Sequence, residues 1–286
     1  MRRKNWKNIV RNVLCTPRPM CYNRPEVISM TLDRPHARQA FAEYTSHYNA
    51  ADPKVKLKID HTYRVAALCE RIANSLSLSP QDVDLAWLCG LLHDVGRFEQ
   101  LRRYGTFIDA KSIDHALMSV TVLFEEGRLR DYIAGTDEDA LLRTAIRLHN
   151  AYRLPEELDD RTRIFCQILR DADKIDILRV NVETPMEQIY NVSTEALRQS
   201  PVSPAVLDAF YEHHCVLRTL NHYPADNAVG HASFVFELCY PESLRAVAEQ
   251  GWLWKLLDFK TENPDTAKAF AGMKAEMQRW LEEHAK

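Results

Sequence analysis

His93 and Asp94 directly follow the apolar residues Leu91 and Leu92, and this placement restricts how the chain can fold. The apolar neighbours predict that both polar side chains enter the protein interior. A buried ionised carboxylate is costly unless it is paired or bound to a metal ion. The fold must therefore bring further polar groups from elsewhere in the sequence to this pair.

Four more residues are candidates for that environment: His61, His115, His149 and Asp173. Neutral imidazole and carboxylate groups are good ligands for Mn, Fe, Co, Ni, Zn or Mg. Each residue alone has a plainer explanation, since a single histidine on an apolar stripe is usually a hydrogen-bonded core residue. Asp94 alone is compatible with a solvated helix end, and Asp173 with the charged face of an amphipathic helix. The conjunction of all of them favours a metal site.

The composition favours an all-α fold. The chain of 286 residues is 46% hydrophobic and 27% charged, with only 8 glycines. These hydrophobic and charged fractions are typical of globular proteins, and the most frequent residues are good helix formers. Val65, Leu68 and Ile72 recur at helical spacing. A helical bundle can build a metal site from side chains on facing helices.

Local signals predict the helices one by one. Pro35 begins a helix that ends near Ala50, and His61 lies in the first turn of the next. Ser79-Pro80 begins a helix that runs to Asp94 and ends at Gly96, followed by a loop over 97–111. Further helices are predicted over 112–126, over 136–149 and from about Asp160, and later ones begin at Ser203-Pro204, Pro241-Glu242 and Asn263-Pro264.

Charge and cysteine content exclude several classes of protein. Residues 1–29 carry a net charge of +6 out of a total of −3, which leaves an acidic body and argues against general nucleic-acid binding. Residues 1–32 are predicted to be a basic, loosely ordered extension.

Seven scattered cysteines without a Cys-x-x-Cys motif indicate a reducing compartment. With no signal-peptide core and no apolar run of about 18 residues, we expect a cytoplasmic protein without membrane contact.

The order His61, His93-Asp94, Asp173 resembles the HD superfamily of metal-dependent phosphohydrolases. The likeness covers roughly residues 55–180. It implies an HD-type helical bundle over 33–184, with accessory helices over 185–286 packed on the same body. In the family motif Asp-x-Asp-Lys the second acid is the ligand, which implies Asp173 rather than Asp171 or Asp176. Asp176 is then expected to orient a ligand imidazole.

Members of this superfamily that hold two metal ions use an extra histidine pair between the HD dipeptide and the last aspartate. His115 and His149 occupy that interval. The resemblance therefore implies two divalent transition-metal ions bridged by Asp94. The alternative is one ion, with His115 binding phosphate or acting as an acid. A Gly-Tyr-Pro signature of the cyclic-dinucleotide phosphodiesterases is missing, which argues against that activity.

The function implied by the resemblance is hydrolysis of a phosphomonoester or phosphodiester in a small phosphorylated compound, with a nucleotide preferred by analogy. Catalysis is assigned to Asp94, Arg97 and Lys174, and substrate binding to Arg97, Tyr104, Lys111 and Lys174. Arg97 and Lys174 are equally compatible with ion pairs to nearby acids, and 97–111 with a solvated loop. A non-hydrolytic sensor of metal or nucleotide and a di-iron oxygenase remain alternatives. Nothing in the sequence indicates the oligomeric state.

Overall fold

The computed structural model describes residues 32–284, and this part of the chain is all-α, with no strand in it. The predicted extension over 1–32 lies almost wholly outside the described residues. The helices are α1 (Arg34–Ser46), α2 (Pro53–Ser75), α3 (Pro80–Leu92), α4 (Val95–Tyr104), α5 (His115–Val120), α6 (Asp139–Leu148), α7 (Asp160–Glu183), α8 (Met186–Tyr190), α9 (Thr194–Arg198), α10 (Pro204–Tyr211), α11 (Pro224–Ala232), α12 (Pro241–Gln250), α13 (Trp252–Leu257) and α14 (Pro264–His284).

Several helix starts follow the predicted capping residues. The Ser79 side chain accepts a hydrogen bond from the backbone N–H of Asp82, and Pro80 takes the first position of α3. Asp159 caps α7 in the same way. The predicted starts of α10, α12 and α14 are confirmed, each with a proline as its first residue.

The core is formed where α2 packs between α3 and α7. On α2 the buried stripe contains Val65, Leu68 and Ile72, so the predicted helical period is confirmed. Gly90 of α3 lies so close to α2 that an added Cβ would be 2.6 Å from the Cα of Ala66. This contact brings the C-terminal end of α3, which precedes His93 and Asp94, against the middle of α2.

Three predicted boundaries are wrong. Asp52 caps α2 and Pro53 begins it, so His61 lies in the third turn rather than the first. Asp114, not Ser112, caps α5, because its carboxylate accepts from the N–H groups of Ala116 and Leu117.

Gly96 also does not end a helix. α3 ends at Leu92, α4 begins at Val95, and the predicted loop is helical as far as Tyr104. Gly96 is needed for packing, because a Cβ there would lie 2.3 Å from the backbone nitrogen of Ser119. Its close approach to α5 positions Asp94, two residues earlier, beside His115.

The helices after α7 pack against its outer side, where α7 contacts α11, α12 and α13. Asp171 of α7 binds the start of α12 through hydrogen bonds. Its Oδ2 accepts from the N–H of Cys239 at 2.8 Å, from the N–H of Tyr240 at 3.2 Å and from the hydroxyl of Ser243 at 2.7 Å. A search of residues 32–284 finds no helix with the length and apolar character that crossing a bilayer demands.

Candidate metal centre

Six side chains from helices and helix ends that are distant in sequence meet in the interior of the bundle. His61 comes from the middle of α2 and Asp173 from the middle of α7, while His93 and Asp94 form the link between α3 and α4. His115 begins α5, and His149 directly follows α6. Four histidines and Asp94 are buried, and the side chain of Asp173 is 14% exposed. The structure thus brings together all the residues that the sequence analysis predicted as ligands.

The carboxylate of Asp94 lies between two groups of histidines. Its Oδ2 is 3.5 Å from His93 Nε2 and 3.7 Å from His61 Nε2. Its Oδ1 is 3.8 Å from the Nε2 atoms of both His115 and His149. Each oxygen therefore faces one pair of imidazoles, an arrangement that suits a carboxylate bridging two ions.

Asp173 completes the first of these groups. Its Oδ1 is 3.2 Å from His61 Nε2 and 3.8 Å from His93 Nε2. We call His61, His93, Asp173 and Asp94 Oδ2 the His61 half, and His115, His149 and Asp94 Oδ1 the His115 half. The donor atoms of His61, His93 and Asp94 lie close enough to one another to share an ion, and so do those of Asp94, His115 and His149. A third such group, formed by His93, His149 and Asp173, joins the two halves.

Carboxylates orient two of the four histidines through Nδ1. Asp176 Oδ2 is 2.6 Å from Nδ1 of His61 and is itself held by Arg64, whose Nε lies 2.6 Å from Oδ1. Asp109 Oδ2 is 2.6 Å from Nδ1 of His115. An acceptor on Nδ1 fixes the proton there and leaves the Nε2 lone pair free to bind a metal ion.

Backbone carbonyls orient the other two histidines. Nδ1 of His93 lies 2.8 Å from the carbonyl oxygen of Gly90, and Nδ1 of His149 lies 2.7 Å from that of Ile146. A carbonyl oxygen only accepts, so both rings carry the proton on Nδ1. All four Nε2 atoms of the cluster therefore point inward as lone-pair donors.

Several of the converging polar atoms lack a suitable hydrogen-bond partner within the cluster. Within residues 32–284, His93 Nε2 and Asp94 Oδ1 are buried without a hydrogen-bond partner. The Nε2 atoms of His115 and His149 lie 3.0 Å apart, so two lone pairs face each other. Buried polar atoms without partners are unfavourable, and a shared cation relieves both defects. The residues present fit a divalent metal ion.

The protonation states of His93, His115 and His149 agree with that chemistry, since burial lowers the pKa of all three. For His61, burial and Lys58 lower the pKa, but the hydrogen bonds to Asp173 and Asp176 outweigh them and raise it. Burial lowers the pKa of His115 and of His149 to about 4, so both rings are neutral and able to ligate near pH 7. Burial raises the pKa of Asp94, but Lys58, His93 and Arg97 outweigh it and hold the value well below the ordinary range. Asp94 is therefore ionised.

Asp171 and Asp173 lie two residues apart on α7 but meet different groups. Asp173 faces the histidines, whereas Asp171 accepts hydrogen bonds at the start of α12. Burial raises the pKa of Asp171 to about 6. The geometry agrees with Asp173 as the ligand and gives Asp171 a structural role.

Arg97 and Lys174, predicted to bind phosphate or to pair with acids, both form ion pairs. Arg97 Nη1 donates to Asp109 Oδ1 at 2.9 Å and to the carbonyl of Phe107 at 2.7 Å. Lys174 Nζ donates to Glu237 Oε2 at 2.9 Å. Both side chains are largely buried, and their action on a substrate stays a prediction.

Tyr104 and Lys111 are exposed and form no side-chain hydrogen bond or ion pair with any described residue. The structure does not join them to the cluster, so their substrate-binding role also stays a prediction. Within the predicted loop over 97–111, Asp109 also reaches the site, and the sequence did not mark this residue as a candidate. It begins a short 3₁₀ helix, Asp109–Lys111, six residues before His115, and no periodic signal in the sequence connects the two residues.

Lys58 is a second residue of the site that was not predicted from the sequence. Its Nζ lies 2.7 Å from Asp94 Oδ2, and its side chain is 17% exposed. Lys58 precedes His61 by three residues on α2, and residues three apart lie on the same face of a helix. That spacing was the available signal.

Residues 59–178 match the family model of the HD domain. All six converging residues, together with Asp109 and Asp176, lie within the matched range. Comparisons with curated proteins and with solved structures find no match.

Proposed function

We propose that this protein, whose residues 59–178 match the family model of the HD domain, is a metal-dependent phosphohydrolase that acts on a small phosphorylated compound. The observation that carries the proposal is the convergence of four inward-facing imidazole Nε2 atoms on the carboxylates of Asp94 and Asp173. The reaction is cleavage of a phosphomonoester or phosphodiester bond. The choice of a nucleotide as substrate rests on family analogy.

The separation of the two oxygens of Asp94 supports two ions rather than one. Oδ2 faces the His61 half and Oδ1 faces the His115 half. Ions held there would lower the pKa of a bound water from 15.7 to about 7 and stabilise negative charge on the phosphoryl oxygens.

The chain itself supplies orientation and charge. Asp176 and Asp109 hold the His61 and His115 rings in the tautomer that exposes Nε2. Lys58 and Arg97 place two positive charges beside Asp94, where a phosphoryl group bound at the cluster would meet them.

The test combines metal analysis with a substrate screen. Purified protein is expected to contain one to two equivalents of a transition metal and, with added Mn²⁺ or Fe²⁺, to release phosphate or a phosphomonoester from a panel of phosphorylated metabolites. Asp94→Ala should lose both properties. Asp60→Ala is the matched control, because Asp60 is an exposed acid of α2 that pairs with Lys56.

Three outcomes would redirect the proposal. Metal without turnover of any phosphorylated compound would favour a non-hydrolytic sensor. Oxygen consumption by the iron-loaded protein would favour the di-iron oxygenase. Wild-type protein that binds no metal would overturn the proposal altogether.

A further inference from the structure

Lys58 contacts the one carboxylate on which both halves of the cluster depend. Its Nζ lies 2.7 Å from Asp94 Oδ2, the oxygen that faces His61 and His93. Asp94 is 1% exposed, so this contact is shielded from bulk water. An ammonium and a divalent ion at the same oxygen repel each other strongly in such surroundings.

The bonding of Lys58 allows it to leave. Asp94 is its only hydrogen-bond partner among residues 32–284, and the ammonium stands on a flexible four-carbon stem. Arg97 differs in both respects. It is held by Asp109 and by the carbonyl of Phe107, and its Nε is 3.7 Å from the other oxygen of Asp94.

Lys58 also lies beside an aromatic ring that it shares with Arg97. Its Nζ lies 5.9 Å from the centroid of the Phe107 ring, and the guanidinium carbon of Arg97 lies 5.7 Å from the same centroid. The two cations thus flank one aromatic ring of the segment that links α4 to α5.

We propose that Lys58 is an exchangeable counter-ion of Asp94. Its ammonium competes with the metal ion of the His61 half for Oδ2, and once displaced it binds the phosphoryl group of the substrate together with Arg97. This inference rests on the proposed function, because it requires that the cluster bind metal. It assigns to Lys58 a role that weakens metal binding and strengthens phosphate binding.

The experiment titrates Mn²⁺ into chelator-treated full-length protein by calorimetry, for wild type, Lys58→Met and Lys56→Met. Lys56 is the matched control, because it lies on the same helix but is exposed and pairs with Asp60. Lys58→Met is expected to bind the ion of the His61 half about tenfold more tightly, since a charge-assisted hydrogen bond no longer competes. The second ion and the Lys56→Met protein should show wild-type affinity.

A second titration uses inorganic phosphate on the Mn²⁺-loaded proteins. Here Lys58→Met is expected to bind about tenfold more weakly than wild type, and Lys56→Met equally well. If Lys58→Met does not fold, Lys58→Gln serves in both titrations, because it keeps a polar group of similar length without the charge.

The outcomes separate this inference from the proposed function. Mn²⁺ binding by wild type that is unchanged or weaker in the Lys58 variant overturns the inference alone. Tighter Mn²⁺ binding with unchanged phosphate binding overturns the transfer to the substrate. Absence of Mn²⁺ binding in wild type overturns the proposed function and the inference with it.

Discussion

Two histidines with lowered pKa values, one in the central cluster and one in the C-terminal helices, lie in different settings. In the C-terminal part, His231 of α11 is stacked on Tyr190 with ring centroids 5.7 Å apart, and its pKa is lowered to about 3 because it is desolvated and near Arg218. His149 of the cluster likewise has a pKa lowered to about 4 by burial. Both rings are neutral at pH 7. Of these two histidines, His149 belongs to a group of described residues that could hold a metal ion, and His231 does not.

The comparison shows that a depressed pKa does not by itself mark a site. His149 has a carbonyl on Nδ1, and its Nε2 faces Asp94 and His115. Nδ1 of His231 meets the hydroxyl of Tyr190 at 3.3 Å, and no carboxylate among residues 32–284 pairs with the ring. A metal site requires an oriented ring and convergent oxygens, and burial supplies neither.

The largest expected effect compares one histidine from each region. His149→Gln should lose the ion of the His115 half and lower the rate of hydrolysis about 100-fold or more. The substitution removes an imidazole ligand whose ring is oriented by the carbonyl of Ile146. His231→Gln should keep wild-type metal content and rate. Elemental analysis and phosphate release measure both, and equal losses in the two variants would contradict the distinction.

The second prediction concerns the carboxylates behind Nδ1. Asp176→Asn and Asp109→Asn should each weaken metal binding by about 10- to 100-fold, because an amide can offer its N–H₂ to Nδ1 and permit the wrong tautomer. Asp176→Asn should affect the His61 half and Asp109→Asn the His115 half. Glu276→Gln is the control, since Glu276 contacts His213, 2.8 Å away, in the C-terminal part. Calorimetric titration that shows no half-specific loss would argue against two separate ions.

The third prediction compares two glycines. Gly96→Ala should lower the free energy of unfolding by about 3 kcal/mol, because the added methyl meets the backbone of Met118 and Ser119. Gly230→Ala, in α11 with open space around it, should raise stability by about 0.5–1 kcal/mol through helix propensity. Urea denaturation decides, and a Gly96→Ala protein as stable as Gly230→Ala would show that α4 and α5 are not in close contact.

The smallest expected effect is a pH dependence from His231. Its pKa of about 3 in the folded protein is below the unfolded value of about 6.5, so the unfolded chain takes up the proton first. The stability it contributes is complete above about pH 6.5 and is lost as the pH falls toward 3. His231→Gln should therefore lose about 2 kcal/mol less stability than wild type between pH 7 and pH 5. Identical pH profiles of unfolding for the two proteins would show that His231 titrates normally.

The fold class and most helix starts could be predicted from the sequence because their causes are local. Ser79 with Pro80 and Asn263 with Pro264 act within one turn of the helices that they begin. The prediction failed at Gly96, since the glycine serves a contact with Ser119, 23 residues away. In the sequence alone, a glycine that ends a helix cannot be told from a glycine that lets two helices pack closely. The difference depends on the partner helix, which only the folded structure shows.

The six predicted ligands could be named from residue type and order, because only a few side chains bind metal ions and the HD pattern is specific. Their arrangement around Asp94 was decided by tertiary structure, through helices that cross at Gly90 and Gly96. The same holds for Asp109 and Lys58. Asp109 reaches His115 from a single 3₁₀ turn, and Lys58 meets Asp94 from another helix, 36 residues away along the chain. Local chemistry specifies which groups can bind an ion, whereas long-range packing specifies which oxygen each group faces.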